Sequence, residues 1–111
     1  MKILISPAKS LDFDSTIDSL KCTQPVFLNK TSEINSVLKE KSPKDLMQLQ
    51  GISQKLSDLN WKRNNDYVDN HNNKNSRPAV FAFNGDVYSG IDVKTLSEDK
   101  VYDLQKSLRI L

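Results

Sequence analysis

The 111-residue sequence contains one cysteine, one histidine and three glycines, and each scarcity excludes a class of protein. Cys22 alone cannot form an internal disulfide, and Cys22 together with His71 provides too few ligands for a zinc site. No apolar run approaches the roughly 18 residues that cross a bilayer, and the apolar run near the start is too short for a signal peptide. We therefore expect a reduced, cytoplasmic protein without a metal or a membrane partner.

A strong charge of one sign is also absent, because 16 Lys and Arg residues face 14 Asp and Glu residues, a net charge of +2. The excess lies in residues 42–78, which carry six basic and four acidic residues. No glycine-rich phosphate loop is present, so no cofactor is predicted. Length and composition predict one domain over residues 1–111, and its apolar ending at residues 108–111 leads us to expect a truncated one.

Apolar periodicity and turn residues predict an α/β fold, a small mixed sheet with flanking helices. Residues 2–5 are expected to form a buried central strand, and residues 79–83 a second strand. The other expected elements are helices over residues 32–41 and from residue 97, loops over residues 8–30 and 62–78, the latter rich in Asn, and a turn at residues 84–86.

Residues 42–61 have the pattern of two short helices joined by a tight turn. Ser42 and Asp45 flank a proline in the order of an N-cap and a capping box, and Ser53 can cap the second helix. Gly51 stands between the two helices, where a left-handed backbone favours glycine. The spacing therefore predicts a helical hairpin.

This hairpin resembles the helix-hairpin-helix DNA-binding motif, although Gln50 replaces its usual proline and Ser53 its second glycine. The second helix of such a motif points free N–H groups at a phosphate, so binding is sequence-tolerant and falls steeply with salt. The residues predicted to bind double-stranded DNA are Gln50, Gly51, Ile52, Ser53, Lys55, Lys62 and Arg63. The alternative is a plain hairpin that packs Leu46, Leu49, Ile52, Leu56 and Leu59 into the core.

A second candidate site comes from the residues that follow the two predicted strands. Ser6 and Lys9 follow the first strand, whereas Gly85, Asp86 and Tyr88 follow the second. If the strands are parallel neighbours, Lys9, Asp86 and Tyr88 share a crevice that offers a cation, an acceptor and a hydroxyl. The crevice supports an alternative function, a small-molecule or nucleotide-processing enzyme. The structural alternative is a Lys9–Asp86 ion pair, and no catalytic residue is assigned because no nucleophile–base pair is evident.

Three blocks of sequence together resemble the bacterial YaaA peroxide-stress protein family. They are residues 3–12 (Ile-Leu-Ile-Ser-Pro-Ala-Lys-Ser-Leu-Asp), residues 83–90 (Phe-Asn-Gly-Asp-Val-Tyr-Ser-Gly) and residues 108–111 (Leu-Arg-Ile-Leu). The resemblance covers the whole chain, and because family members run further, the chain looks like their amino-terminal part.

The resemblance implies a cytoplasmic protein that helps bacteria to survive hydrogen peroxide by limiting free intracellular iron, and it does not imply a catalytic activity. It also implies an α/β fold with a helix-hairpin-helix element and a positively charged cleft that binds double-stranded DNA. Carried onto this sequence, the hairpin falls on residues 49–55, and two loops typical of the family fall on residues 6–9 and 85–90.

Overall fold

The computed structural model describes residues 1–17 and 22–111, which form two compact units. The mixed unit comprises Met1–Thr23 and Asn72–Leu111, and the helical unit comprises Gln24–His71. The predicted α/β class is confirmed, since the described residues form six α-helices, one parallel strand pair and one antiparallel strand pair. None of the described helices has the length and apolar character needed to cross a membrane.

The helical unit contains α1 (Leu28–Lys39), α2 (Pro43–Gln50) and α3 (Gln54–Asp66). Its interior is small, because the only side chains in it that are completely buried are Leu46 and Ser57. Ser57 loses no hydrogen bond on burial, since its hydroxyl donates to the Gln54 carbonyl at 2.8 Å.

Two predicted boundaries in the helical unit are wrong. The helix expected over residues 32–41 begins earlier, at Leu28, and part of the loop predicted over residues 8–30 is therefore helical. The helix α3 continues to Asp66, so the first five residues of the Asn-rich loop predicted over residues 62–78 are helical. Tertiary contact overrides the weak helix propensity of asparagine, because Asn35 Nδ2 donates to the Asn64 carbonyl at 3.3 Å.

The mixed unit holds all four strands. Strand β1 (Ile3–Ile5) pairs in parallel with β4 (Leu108–Ile110), and β2 (Ser10–Leu11) pairs antiparallel with β3 (Phe83–Asn84). The helices of this unit are α4 (Ala79–Ala82), α5 (Asp86–Ile91), a 3₁₀ helix (Val93–Thr95) and α6 (Glu98–Ser107). Its buried hydrophobic side chains are Phe81, Ala82, Tyr88 and Val93.

The predicted strand over residues 79–83 is wrong, because four of its residues form α4. The N–H groups of Phe81 and Ala82 donate to the Pro78 carbonyl at 2.9 and 3.1 Å, which closes a helical turn. An apolar run of five residues fits a strand or a buried helical turn equally well, so periodicity could not decide. The expected turn at residues 84–86 is instead a junction from strand to helix, with Gly85 in extended backbone at φ 167°.

The expected position of the first strand is also wrong. Within the described residues β1 has β4 as its only partner, and it does not neighbour β3. Nor is β1 buried, because Leu4 is 63% exposed. The helix expected from residue 97 is confirmed as α6, whose first turn is acidic. Residues 18–21 of the predicted loop lie outside the described residues.

Candidate nucleic-acid interface

The start of α2 carries the predicted capping box. Ser42 Oγ accepts a hydrogen bond from the Asp45 N–H at 3.2 Å, and Asp45 Oδ2 accepts one from the Ser42 N–H at 2.9 Å. The Ser42 hydroxyl also donates to Asp45 Oδ2 at 2.7 Å. This bond first, and then the bond from the Ser42 N–H, hold the pKa of Asp45 below its usual range. The box confirms the sequence prediction and satisfies donors that a helix otherwise leaves open.

The turn between α2 and α3 depends on glycine. Gly51 has φ 61° and ψ 40°, the left-handed conformation that a side chain disfavours. The Ile52 N–H returns to the Met47 carbonyl at 3.3 Å, which is the bond pattern of a helix that ends on a left-handed residue. The turn thus stops α2 within one residue and starts α3 three residues later.

Gln50, which stands where the resembling motif has proline, is held by a side-chain bond. Asn60 Nδ2 of α3 donates to Gln50 Oε1 at 2.9 Å, and the two residues lie on opposite sides of the turn. This hydrogen bond ties the end of α2 to the second turn of α3. The sequence contained no direct signal for the Gln50–Asn60 pair.

The first turn of α3 presents open backbone donors. Ser53 is the N-cap, and its Oγ accepts from the Leu56 N–H at 3.3 Å, as predicted. The N–H groups of Gln54 and Lys55 have no acceptor within hydrogen-bond distance among the described residues, and both residues are exposed. Open N–H groups at the positive end of a helix dipole favour an anion, so this turn can accept a phosphate oxygen.

Basic side chains continue along α3 from this turn. Lys55, Lys62 and Arg63 are all exposed, and Lys55 and Lys62 lie about 10 Å apart along the helix axis on nearly the same face. The Asp58 carboxylate lies between them, where it accepts a bond from Gln54 Nε2 at 2.8 Å. Asp58 lowers the positive potential of this face, and the sequence prediction did not include it.

The plain-hairpin alternative is wrong for three of its five residues. Leu46 is fully buried and Ile52 half-buried, but Leu49, Leu56 and Leu59 are 66%, 48% and 41% exposed. The two helices therefore contact one another through a narrow seam, and an apolar flank of the hairpin stays open to solvent in this structure.

The two loops of the second candidate site do meet in the mixed unit. The Tyr88 hydroxyl donates to the Ser6 carbonyl at 2.7 Å, and a Cβ on Gly85 would lie 3.4 Å from Ala8 Cβ. Burial raises the pKa of Tyr88, whose hydroxyl is already used by Ser6. Lys9 and Asp86 are exposed and make no ion pair with one another in the described structure. The loops are thus held together by Tyr88 rather than by charge.

A polar cluster that sequence reasoning missed lies beside these loops. The Arg77 guanidinium donates to the carbonyls of Asp12, Phe13 and Ser15 at 3.0, 3.2 and 2.6 Å. Lys94 Nζ donates to Asp12 Oδ2 at 3.0 Å. Hydrogen bonds from the Ser15 side chain and backbone, and then from Lys94, hold the pKa of Asp12 well below its usual range. The residues are up to 82 positions apart, so no local pattern could indicate the cluster.

The comparisons with known proteins agree on one family. Residues 1–111 match the family described as "Peroxide stress protein YaaA". The chain is 47% identical over all of its length to UPF0246 proteins of Flavobacterium psychrophilum and Flavobacterium johnsoniae, and 41% identical to one of Hahella chejuensis. It covers 44%, 44% and 43% of those proteins, so it spans less than half the length of these curated relatives.

Proposed function

The chain belongs to the YaaA family of peroxide stress proteins, and from this membership together with the hairpin geometry we propose that it binds double-stranded DNA during the response to peroxide. Binding uses the turn from Gln50 to Ser53 and the side chains of Lys55, Lys62 and Arg63. The partner is the phosphate backbone of a duplex, without preference for base sequence.

One observation carries the proposal. Gly51 in its left-handed conformation leads at once into an exposed first turn of α3, where the Gln54 and Lys55 N–H groups have no acceptor in the described structure. A phosphate oxygen at this turn would accept both N–H groups and face the Lys55 ammonium. The Ser53 hydroxyl keeps its capping bond and is free to donate its proton to a second oxygen.

Three basic side chains give only a modest electrostatic attraction to DNA. Each phosphate neutralised contributes about −0.9 to the slope of log K against log salt, so contacts from Lys55, Lys62 and Arg63 give a slope of about −3. Asp58 opposes part of this attraction. We therefore expect weak binding by the isolated chain, easily detected at low salt and lost at high salt.

Duplex binding by Lys55→Glu and Gly51→Asp tests the proposal. Lys55→Glu places a carboxylate in the first turn of α3, and Gly51→Asp places one in the turn that leads into it. Each should weaken binding about tenfold or more at low salt. Lys100→Glu is the matched control, since it makes the same charge change at an exposed position near the start of α6. Fluorescence anisotropy with two labelled duplexes of unrelated sequence should give equal affinities. If Lys55→Glu and Lys100→Glu bind alike, the hairpin is not the DNA contact.

The peroxide role extends the proposal to the whole protein, which limits free iron under peroxide stress. The support for this role is family membership alone. The described residues contain no group of His, Cys, Asp and Glu side chains that could hold a metal ion, so they do not suggest direct iron binding. Deleting the gene should raise chelatable intracellular iron and lower survival in hydrogen peroxide. Unchanged iron and unchanged survival in the deletion strain would refute this part of the proposal.

A further inference from the structure

A cavity of about 160 Å³ lies in the mixed unit, apart from the hairpin residues. Its apolar lining includes Phe81, Phe83 and Val93, and the Tyr88 ring contacts Phe83 with centroids 5.4 Å apart. The hydrogen bond from Tyr88 to Ser6 fixes that ring. Because Tyr88 is only 6% exposed whereas Phe83 is half-buried, the Phe83 ring, packed against Tyr88, is the aromatic surface that a small planar ligand can contact.

The polar lining lies at the exposed side of this cavity. Asn84, Ser89 and Asp92 line it and are exposed, and their side chains make no hydrogen bond among the residues that the structure describes. Lys94 also lines it, but its ammonium is bound by Asp12 and Ser15. The open groups are thus a carboxylate, an amide and a hydroxyl, which can pair with an edge that has both donors and acceptors.

The charge and the size of the cavity limit the kinds of ligand that it can bind. The open carboxylate of Asp92 disfavours a phosphate or another anion in the cavity, whereas the charge of Asp12 is offset by Lys94. A dry cavity of about 150 Å³ admits one six-membered aromatic ring, so this volume suits a single ring and not a complete nucleotide. Asp92 can accept a hydrogen bond from an exocyclic amino group, as carboxylates do with N4 of cytosine.

We propose that this cavity binds a pyrimidine ring with an exocyclic amino group, of the cytosine type. The ring stacks on Phe83, its amino group donates to Asp92, and Asn84 Nδ2 donates to the adjacent ring nitrogen or carbonyl. This chemistry is shared by a free nucleoside and by an unpaired base of a single strand.

Binding of cytidine to the 111-residue chain tests the proposal by titration of backbone amide NMR signals. We expect saturable shifts at residues that line the cavity, with cytidine binding more tightly than uridine or adenosine. Asp92→Asn should weaken cytidine binding about tenfold and shift the preference toward uridine, because an amide can donate to the uridine carbonyl. Asparagine tolerates the left-handed backbone of Asp92 (φ 47°), so this variant should fold.

Asp99→Asn is the matched control, since it makes the same change from carboxylate to amide at an exposed position on α6, outside the cavity lining. It should leave cytidine binding unchanged. A pentanucleotide with one cytosine identifies the source of the ring, because tighter binding than cytidine indicates a base of a strand and weaker binding indicates a free nucleoside. If neither probe gives saturable shifts at the cavity, or if Asp92→Asn and Asp99→Asn behave alike, the proposal is wrong.

Discussion

The left-handed backbone at Gly51 predicts that alanine lowers the stability of the protein at this position, whereas alanine at Gly90 raises it. Gly51 has φ 61°, and no atom lies within 4 Å of the Cβ that a side chain would add there. Gly51→Ala therefore introduces no clash, and its cost is the left-handed conformation alone, about 1–2 kcal/mol for an L-residue. The smaller entropy of the unfolded Ala chain offsets part of this cost. We expect a net loss of about 1 kcal/mol.

Gly90 is the matched control for this substitution. A Cβ at Gly90 would also meet nothing within 4 Å, but Gly90 lies inside α5 and does not have positive φ. Gly90→Ala should therefore stabilise the protein by about 0.5–1 kcal/mol, the gain of alanine over glycine in a helix. Gly51→Asn should cost less than Gly51→Ala, because asparagine tolerates the left-handed region.

Chemical denaturation of the four proteins measures these differences. The midpoint of Gly51→Ala should fall, that of Gly90→Ala should rise, and the slopes should not change. A difference of 1 kcal/mol corresponds to a change in Tm of roughly 4 °C for a chain of this size. If Gly51→Ala is as stable as the wild type, or if Ala and Asn at this position cost the same, the left-handed turn does not determine the hairpin.

Three further predictions concern the caps and the Arg77 cluster. Ser42→Ala should lower the free energy of unfolding by about 1 kcal/mol. Ser97→Ala should change it little, since Ser97 makes no side-chain capping bond. Equal decreases in Tm for the two variants would contradict a stabilising role of the capping box. Arg77→Lys should cost about 2 kcal/mol, because one ammonium cannot replace the guanidinium bonds to three carbonyls, and an unchanged Tm would refute this. The folded-state pKa of Asp12 is lowered, so its contribution to stability is present above the unfolded pKa of about 4 and is lost as the pH falls from there toward the folded-state pKa. Asp12→Asn should therefore lose less stability than the wild type when the pH is lowered through this range. Equal losses in the two proteins, measured as the free energy of unfolding against pH, would contradict the Asp12 contacts.

Local signals in the sequence predicted the hairpin well and the sheet poorly. Caps and turns depend on neighbours within a few residues, so the sequence alone places Ser42, Gly51 and Ser53 correctly. Strand partners depend on the whole chain: β1 pairs with a segment 105 residues later, at Leu108, and an apolar run does not name its partner. The run at residues 79–83 failed for another reason, because so short an apolar run fits a strand and a buried helical turn equally well.

The candidate sites also differ in whether local sequence spacing predicts their residues. Lys55, Lys62 and Arg63 follow from helical spacing, and all are exposed on α3 as the spacing requires. The contribution of Asp58 could have been predicted from the same spacing, since it lies three residues after Lys55. In contrast, the Arg77 cluster joins side chains up to 82 residues apart and depends on the fold.

The salt dependence of duplex binding tests the central claim most directly. We predict a slope of log K against log salt of about −3 for the wild type, and a slope about one unit smaller in magnitude for Lys55→Gln, which removes one phosphate contact without adding a negative charge. Lys100→Gln should keep the slope of the wild type. A wild-type slope near zero, or equal slopes for Lys55→Gln and the wild type, would contradict binding of phosphate at the first turn of α3.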